Sequence, residues 1–359
     1  MNFLQLKDVC KIVMGQSPDS SSYNDNNTGI PFFQGNADFG DIYPNIRLYC
    51  NSPKKTANSG DILISVRAPI GAINYANTKC CIGRGLAAII PYKGKVSKEY
   101  IFWLLKCKNV ELNNKGTGST FKAIGRKVLE EILVPDISLE KQLEISKTLD
   151  KTYNIIQTRR KELDKLDELV KARFVELFGD QETNPFGWVQ CTIGDCCTLK
   201  SGTSLPAEVE NEGGSIPYVK VGDMNYPGNE RYITISSRYV SEETAGKGLF
   251  GVGSIIFPKR GGAIGTNKKR MTKLPICADL NIMGVSSNGK LLPEYLLTYF
   301  DLIDLGAFSD GSSVPQINNK NIAPLAICIP PMELQNQFAD FVKQIDKSKF
   351  FSNKLVFLR

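Results

Sequence analysis

The side chains suited to recognising another molecule fall into two polar sets, one in each half of the 359-residue chain. The first comprises Gln34, Asn36, Arg47, Arg67, Arg84, Lys115, Thr117, Ser119, Thr120 and Lys122. The second comprises Lys220, Asn225, Arg231, Lys259, Arg260, Asn267, Lys268, Lys269, Arg270, Ser312, Ser313 and Gln316. Arg, Asn and Gln can make paired hydrogen bonds to planar base edges, and Ser, Thr and backbone amides can hold phosphates. Arg67 and Arg260, each just after a strand-like run, are the best single residues, and Asn267 to Arg270 is the best phosphate-facing loop. Any one of them alone is equally a solvated side chain, and a structural ion pair would account for either arginine. A formal net charge of +7 and a pI near 8.8 favour a polyanionic partner only modestly.

Catalytic chemistry finds no residues to carry it. The chain has no histidine, which excludes Ser-His and Cys-His nucleophile pairs and any histidine-metal hydrolase. Ten cysteines are scattered without a C-x-x-C, so an all-cysteine zinc site lacks its spacing, and buried thiols are expected. Arg260-Gly261-Gly262-Ala263-Ile264-Gly265 is glycine-rich but has no following Lys-Ser/Thr, and reads as a strand turn. Asn184-Pro185-Phe186 lacks the second proline and the cofactor loop of an amino-methyltransferase. We expect no catalytic residue, no metal and no cofactor in this chain.

The elements that must position the polar sets are two mixed α/β heads and a long helix. Leu139 to Phe178 lacks Gly and Pro and carries apolar residues every seven positions, at Leu149, Ile156, Leu163, Val170 and Leu177. Tyr153, Leu166, Leu169 and Phe174 broaden the stripe, which predicts a helix whose seam packs on another helix. Residues 1–138 show short strand-like runs at Ile30 to Gln34, Asp61 to Val66 and Leu86 to Pro91, and a helix over Val96 to Lys108 capped by Ser97. Met1 to Asp8 lacks the basic start and apolar run of a secretory leader, and no stretch approaches a membrane span. A cytoplasmic location without membrane attachment is expected.

After Gly179 the chain repeats itself in order. Leu6-Lys7-Asp8-Val9 is echoed by Ile193-Gly194-Asp195-Cys196, Ile30-Pro31-Phe32 by Ile216-Pro217-Tyr218, and Gly60-Asp61-Ile62-Leu63-Ile64 by Gly253-Ser254-Ile255-Ile256-Phe257. Arg67 with Asn74 is matched by Arg260 with Asn267, and Leu139-Glu140-Lys141-Gln142 by Leu334-Gln335-Asn336-Gln337. The expected fold is therefore α+β: two homologous mixed α/β domains, 1–138 and 180–331, joined by an antiparallel pair of long helices, 139–179 and the shorter 332–359, with pseudo-two-fold symmetry.

Each head ends in G-[ST]-[ST]-x-x-x-I, a short strand, a proline and L-x-x-Q opening a helix. The residues are Gly118 to Ile124, Val134-Pro135 and Leu139 to Gln142, then Gly311 to Ile317, Ile329-Pro330-Pro331 and Leu334 to Gln337. With Gly60 to Arg67, this pattern resembles the specificity subunit of a type I restriction-modification enzyme over essentially the whole chain. The resemblance implies two target-recognition domains reading a bipartite, asymmetric site on double-stranded DNA, with the helices fixing the gap. It also implies partners: two modification (methyltransferase) subunits that carry the S-adenosylmethionine chemistry, and ATP-driven restriction subunits. The other reading of the same residues is a coiled-coil scaffold whose heads bind proteins and not DNA.

Overall fold

The computed structural model describes residues 2–118, 122–308 and 314–357. Four helices matter most for the site: α1 (Lys98–Cys107), α2 (Leu139–Phe178), α3 (Pro293–Asp301) and α4 (Met332–Phe357). The chain divides into two units, Met1–Gln157 and Thr158–Arg359, so the division falls inside α2 and not at its ends. Each half of α2 buries apolar residues on the head beside it. Ile145, Leu149 and Tyr153 pack on the first core, and Val170, Phe174 and Phe178 enter the second.

In the first unit, Phe3–Gln5 pairs with Leu133–Pro135 at the base of the head. An antiparallel sheet follows in the order Cys10–Met14, Leu86–Pro91, Ile62–Ser65, Ile73–Tyr75. A second, mixed sheet sets Ile30–Phe33 parallel to Cys80–Ile82. The second unit repeats this plan. Val189–Thr192 pairs with Ala326–Ile329, and the main sheet runs Cys197–Ser201, Ile282–Ser287, Ile255–Pro258, Arg270–Thr272, Tyr232–Ile233. Ile216–Val219 lies parallel to Ile276–Ala278. The strand Ile62–Ser65 is apolar on both faces because both are covered. Ile62 and Ile64 face the core shared with α1, whereas Leu63 packs with Phe33, Ile82 and Leu86. Ile255, Ile256 and Phe257 divide in the same way.

The helix ends follow their capping chemistry. Ser97 Oγ accepts from the Tyr100 amide at 3.2 Å, as its position predicts. Gly179, with φ of +73°, ends α2, and a Cβ there would stand 2.6 Å from Pro185 Cγ. The glutamine of the first L-x-x-Q has a structural purpose, and its counterpart in the second copy is Gln335 of Met332-Glu333-Leu334-Gln335, which corrects the match of Leu139–Gln142 to Leu334–Gln337 by two residues. Gln142 accepts from the Ser97 amide at 2.8 Å and donates to the Ile137 carbonyl at 2.9 Å. Gln335 accepts from the Leu292 amide at 2.8 Å and donates to the Pro330 carbonyl at 2.9 Å. Both glutamines are buried, so each ties the start of a long helix to the first turn of its head's helix. Gln142→Leu leaves an amide and a carbonyl unpaired and is expected to cost about 2–4 kcal/mol. Urea unfolding in a Trp188→Phe background, which leaves Trp103 as reporter of the first unit, checks it, and an unchanged midpoint would refute the tie.

Within the second unit, α4 runs antiparallel to the end of α2. Phe338 touches Phe174 and Phe178, while Lys349, further along α4, pairs with Asp167, further back along α2. The rings of Phe174, Phe178, Tyr295 and Phe338 lie with centroids 4.8–5.5 Å apart. The seam differs in detail from the seven-residue reading. Val170 is buried, Leu149, Ile156, Leu163 and Leu177 are half-buried, and the fully buried positions are Phe174 and Phe178. Leu169 is 47% exposed and lies off the seam. The packing needs a side chain every three or four residues, and the large rings take the centre. Among the described residues, no helix is long and apolar enough to cross a membrane.

Candidate nucleic-acid interface

A ladder of backbone hydrogen bonds in the first head sets four segments side by side. Gly85 N donates to the Gln34 carbonyl at 3.1 Å, Val66 N to the Gly85 carbonyl at 2.9 Å, and Ile124 N to the Val66 carbonyl at 2.9 Å. Arg67 bridges to Ala123, and Ala123 in turn to Thr117. The result is a strip carrying Gln34, Arg84, Arg67, Lys122 and Thr117, all exposed. Arg47 is fastened beside it by Asp38, which accepts from Arg47 Nε at 2.9 Å and from the Gln34 amide at 2.6 Å. Asn36, half-buried, lies in the turn that Asp38 closes. Lys115 stands next to the strip but pairs with Glu111 at 2.7 Å. Ser119 and Thr120 lie outside the described residues.

The second head builds the same strip. Asp279 N donates to the Val219 carbonyl, as Gly83 N does to the Phe33 carbonyl, Lys259 N to the Asn281 carbonyl, and Ile317 N to the Lys259 carbonyl, at 2.8–2.9 Å. Arg260 bridges to Gln316 as Arg67 does to Ala123. Lys220 takes the place of Gln34, its amide held at 2.7 Å by Asp223. The strip therefore presents Lys220, Asn281, Lys259, Arg260 and Gln316. Lys259 donates to Ser201 Oγ at 2.7 Å, and burial with Arg260 nearby lowers its pKa. Lys220 is paired with Glu210, and Arg260 is exposed. Ser312 and Ser313 lie outside the described residues.

The remaining sequence candidates stand elsewhere, and several are committed to the fold. Lys269 is buried, donating to Asn267 Oδ1 at 2.8 Å and to the Ile303 carbonyl at 2.6 Å. Asn267, with φ of +52°, also accepts from the Leu305 amide at 2.9 Å. Arg270 is taken up by the carbonyls of Asn229, Lys269 and Met224. Lys268 pairs with Asn225, an exposed residue. The run Asn267 to Arg270 thus pins the turn after α3 and leaves only Lys268 partly available. Strand register also corrects the match of Asn74 to Asn267: Asn74 lies opposite Leu63 and Arg270 opposite Ile256, so Asn74 corresponds to Arg270. Arg231 is 18% exposed and faces Asp301, Asp346 and Asp167 at 3.6–3.9 Å. It is an anchor for the helix pair, because three carboxylates converge on it and leave little of it facing solvent.

Burial of Lys269 lowers its pKa from 10.5 to about 8, Lys171 adding to the effect and Asp301 and Asp304 opposing it. A depressed lysine pKa means that the unfolded chain holds more protons between the two values, so this group's contribution to stability rises with pH across that window. The melting temperature of the wild type, measured relative to Lys269→Met, is expected to increase from pH 8 to pH 10. A constant difference would refute it.

Comparison with known families turns on the repeat. The model for the type I restriction modification DNA specificity domain matches twice, over residues 1–168 and 185–354. This chain belongs to that specificity family. Among curated specificity-family relatives, the putative type I restriction enzyme MjaX specificity subunit of Methanocaldococcus jannaschii is 48% identical over 161 residues, which is 45% of this chain and 38% of that protein. The match therefore spans little more than a third of that relative's length. The type I restriction enzyme MjaIX specificity subunit of the same organism is 27% identical over 311 residues, 80% of this chain and 71% of the relative. The crystal structure of the type I restriction-modification S subunit from M. genitalium has the same fold: TM-score 0.58, 15% identity, and coverage of 99% of this chain and 91% of that one.

In this specificity-family chain, sequence reasoning missed the buried Asp38 and Asp223, which brace the two strips, and Arg238, which lies 3.5 Å from Glu210 and 4.0 Å from Asp223. The signal was present: both aspartates follow the parallel strand of the repeat by four or five residues. Asn281 was missed because its place in the strip depends on a single backbone bond to Lys259.

Proposed function

We propose that this chain is the non-catalytic DNA-recognition subunit of a type I restriction-modification complex, each head reading one part of a bipartite, asymmetric site. The observation that carries this is the strip of polar side chains built twice on equivalent backbone, with an exposed arginine, Arg67 or Arg260, at the same bridge in each head. Exposed guanidiniums can fork to guanine or to phosphate, and the flanking Gln, Asn, Thr and Lys can add edge and backbone contacts. Two modification subunits would dock on the scaffold and supply S-adenosylmethionine chemistry, and restriction subunits would supply ATP-driven cleavage. In this reading the chain itself binds neither cofactor, and it works in the cytoplasm.

Filter binding of the purified chain, alone and with modification subunits, to duplex at low and high salt tests the reading. Site-selective retention supports it, whereas equal indifference to all duplexes in the complete complex would overturn it. The uninterrupted helix α2 is the proposed spacer. Four residues inserted between Arg159 and Leu163 lengthen a helix by about 6 Å and rotate its C-terminal portion by about 40°. The insertion is expected to abolish binding to the native site, and unchanged affinity for that same spacing would refute the spacer role.

A further inference from the structure

The first head contains a cavity of about 570 Å³ between its main sheet and helices α1 and α2, a size typical of small-ligand pockets. Its walls include Tyr75, Phe102, Trp103 and Tyr153, with Lys98, Asp150 and Glu99, the last accepting from Ser97 Oγ, as charged groups and Tyr43 at the rim. Tyr75 and Phe102 stack at 4.2 Å, and Asp150 accepts from the Trp103 indole at 2.8 Å, with lone pairs to spare for a second donor. Lys98 Nζ lies 5.4 Å from the Tyr75 ring.

The internal repeat shows what fills this crevice elsewhere. The Tyr75 amide donates to the Ile42 carbonyl at 2.8 Å, and the Met271 amide to the Arg231 carbonyl at 3.0 Å, so Ile42-Tyr43 corresponds to Arg231-Tyr232. In the second head Tyr232 continues as a strand, Tyr232–Ile233, along the edge of Arg270–Thr272. Its ring packs on the core, its hydroxyl donates to Asp346 of α4, and Lys273 Nζ stands 4.1 Å from its centroid. In the first head Pro44 stands where Ile233 does, and the chain curls back: Phe39 bridges to Pro44, and the Gly40 amide donates to the Tyr43 carbonyl at 3.2 Å. Tyr43 is thereby held outward, 54% exposed, and the crevice stays open.

We propose that this cavity receives the side chain of a tyrosine presented by a protein partner docked on the first head. The precedent is a tyrosine on a polypeptide backbone in the homologous crevice, with a carboxylate on the long helix as acceptor and a lysine over an aromatic ring in both copies. In the first head, Asp150 takes the acceptor's part and Lys98 the cation's. The aromatic walls suit a ring, and the charged groups select a ring bearing a hydroxyl. The inference is independent of DNA recognition, since no residue of the strip lines the cavity.

The test uses the full chain with N-acetyl-L-tyrosinamide as probe, N-acetyl-L-leucinamide as control and p-cresol as the ring without a backbone. Saturation-transfer NMR is expected to show binding of the tyrosinamide ring at concentrations on the order of millimolar, as suits one ring-sized fragment. Asn154→Trp, at an exposed helical position lining the cavity, should reduce it at least fivefold while the unfolding transition stays in place. Tyr92→Phe, exposed on the first head and not lining the cavity, should leave it unchanged. Equal transfer to the leucinamide, no transfer to the tyrosinamide, or indifference to Asn154→Trp would overturn the proposal. Binding of p-cresol with exclusion of the tyrosinamide would also overturn it, in favour of a free phenol.

Discussion

Alanine at both Arg67 and Arg260 is expected to weaken binding to the cognate duplex by about a hundredfold or more, since each lost guanidinium contact is worth about 1–3 kcal/mol. Both side chains are exposed, and both backbones are held by a bridge and by flanking amide bonds that alanine retains. The loss should therefore appear in affinity and not in the unfolding transition. The salt dependence then identifies the ligand atoms. If both residues neutralise phosphates, the slope of log affinity on log salt falls by about 2, and if they read bases it is nearly unchanged. Lysine at both positions keeps the charge but not the fork, so it should rescue the phosphate case and fail the base case. Wild-type affinity together with wild-type slope would return both arginines to the class of ordinary surface charges.

Arg231→Ala is expected to destabilise the second unit by about 3 kcal/mol, the low end for breaking a buried charge cluster, because the separations exceed 3.5 Å and Asp167 is half exposed. Removing the guanidinium strands Asp301, whose carboxyl burial already pushes up against the pull of Arg231, Lys269 and Lys171. A carboxyl raised in the fold holds protons that the unfolded chain has released. Its penalty is therefore present above the folded pKa and is relieved as pH falls towards the unfolded value. The Arg231→Ala deficit should accordingly be larger at pH 7 than at pH 5. Adding Asp301→Asn should recover much of it. Urea titrations in a Trp103→Phe background, which leaves Trp188 as reporter of the second unit, would show this. A deficit independent of pH and of Asp301 would mean that Arg231 acts only through packing. Either way the variant separates stability from recognition, which matters because Arg231 lies in the polar set that composition alone would send to DNA.

Order along the chain was highly legible. The repeated segments, the capped helix beginning after Ser97, the long Gly-free and Pro-free helix, and the L-x-x-Q that opens it all express local rules of capping, periodicity and chain continuity. Those rules act over a few residues and leave their marks in the string itself. The repeat also located Arg67 and Arg260 correctly as partners, because duplication preserves spacing within each strand and turn. The pairing of Asn74 with Asn267 failed for the same reason in reverse, since insertions between strands shift the offset and only hydrogen-bond register restores it.

What the sequence by itself determined is that this is a duplicated α+β chain with a long amphipathic helix and no histidine chemistry. Which of its polar residues face outward was decided by tertiary structure alone. Lys268, Lys269 and Arg270 are neighbours of one chemical class, yet Lys269 and Arg270 are consumed by carbonyls that arrive from around residues 224, 229 and 303. Gln34, Arg84, Arg67 and Thr117 are scattered in sequence but become neighbours because four segments share one backbone ladder. A charge offsets its desolvation cost only where the fold supplies partners, and those partners are distant in the chain. For that reason the residue types announced a recognition surface, while its membership had to wait for the packing of strand on strand.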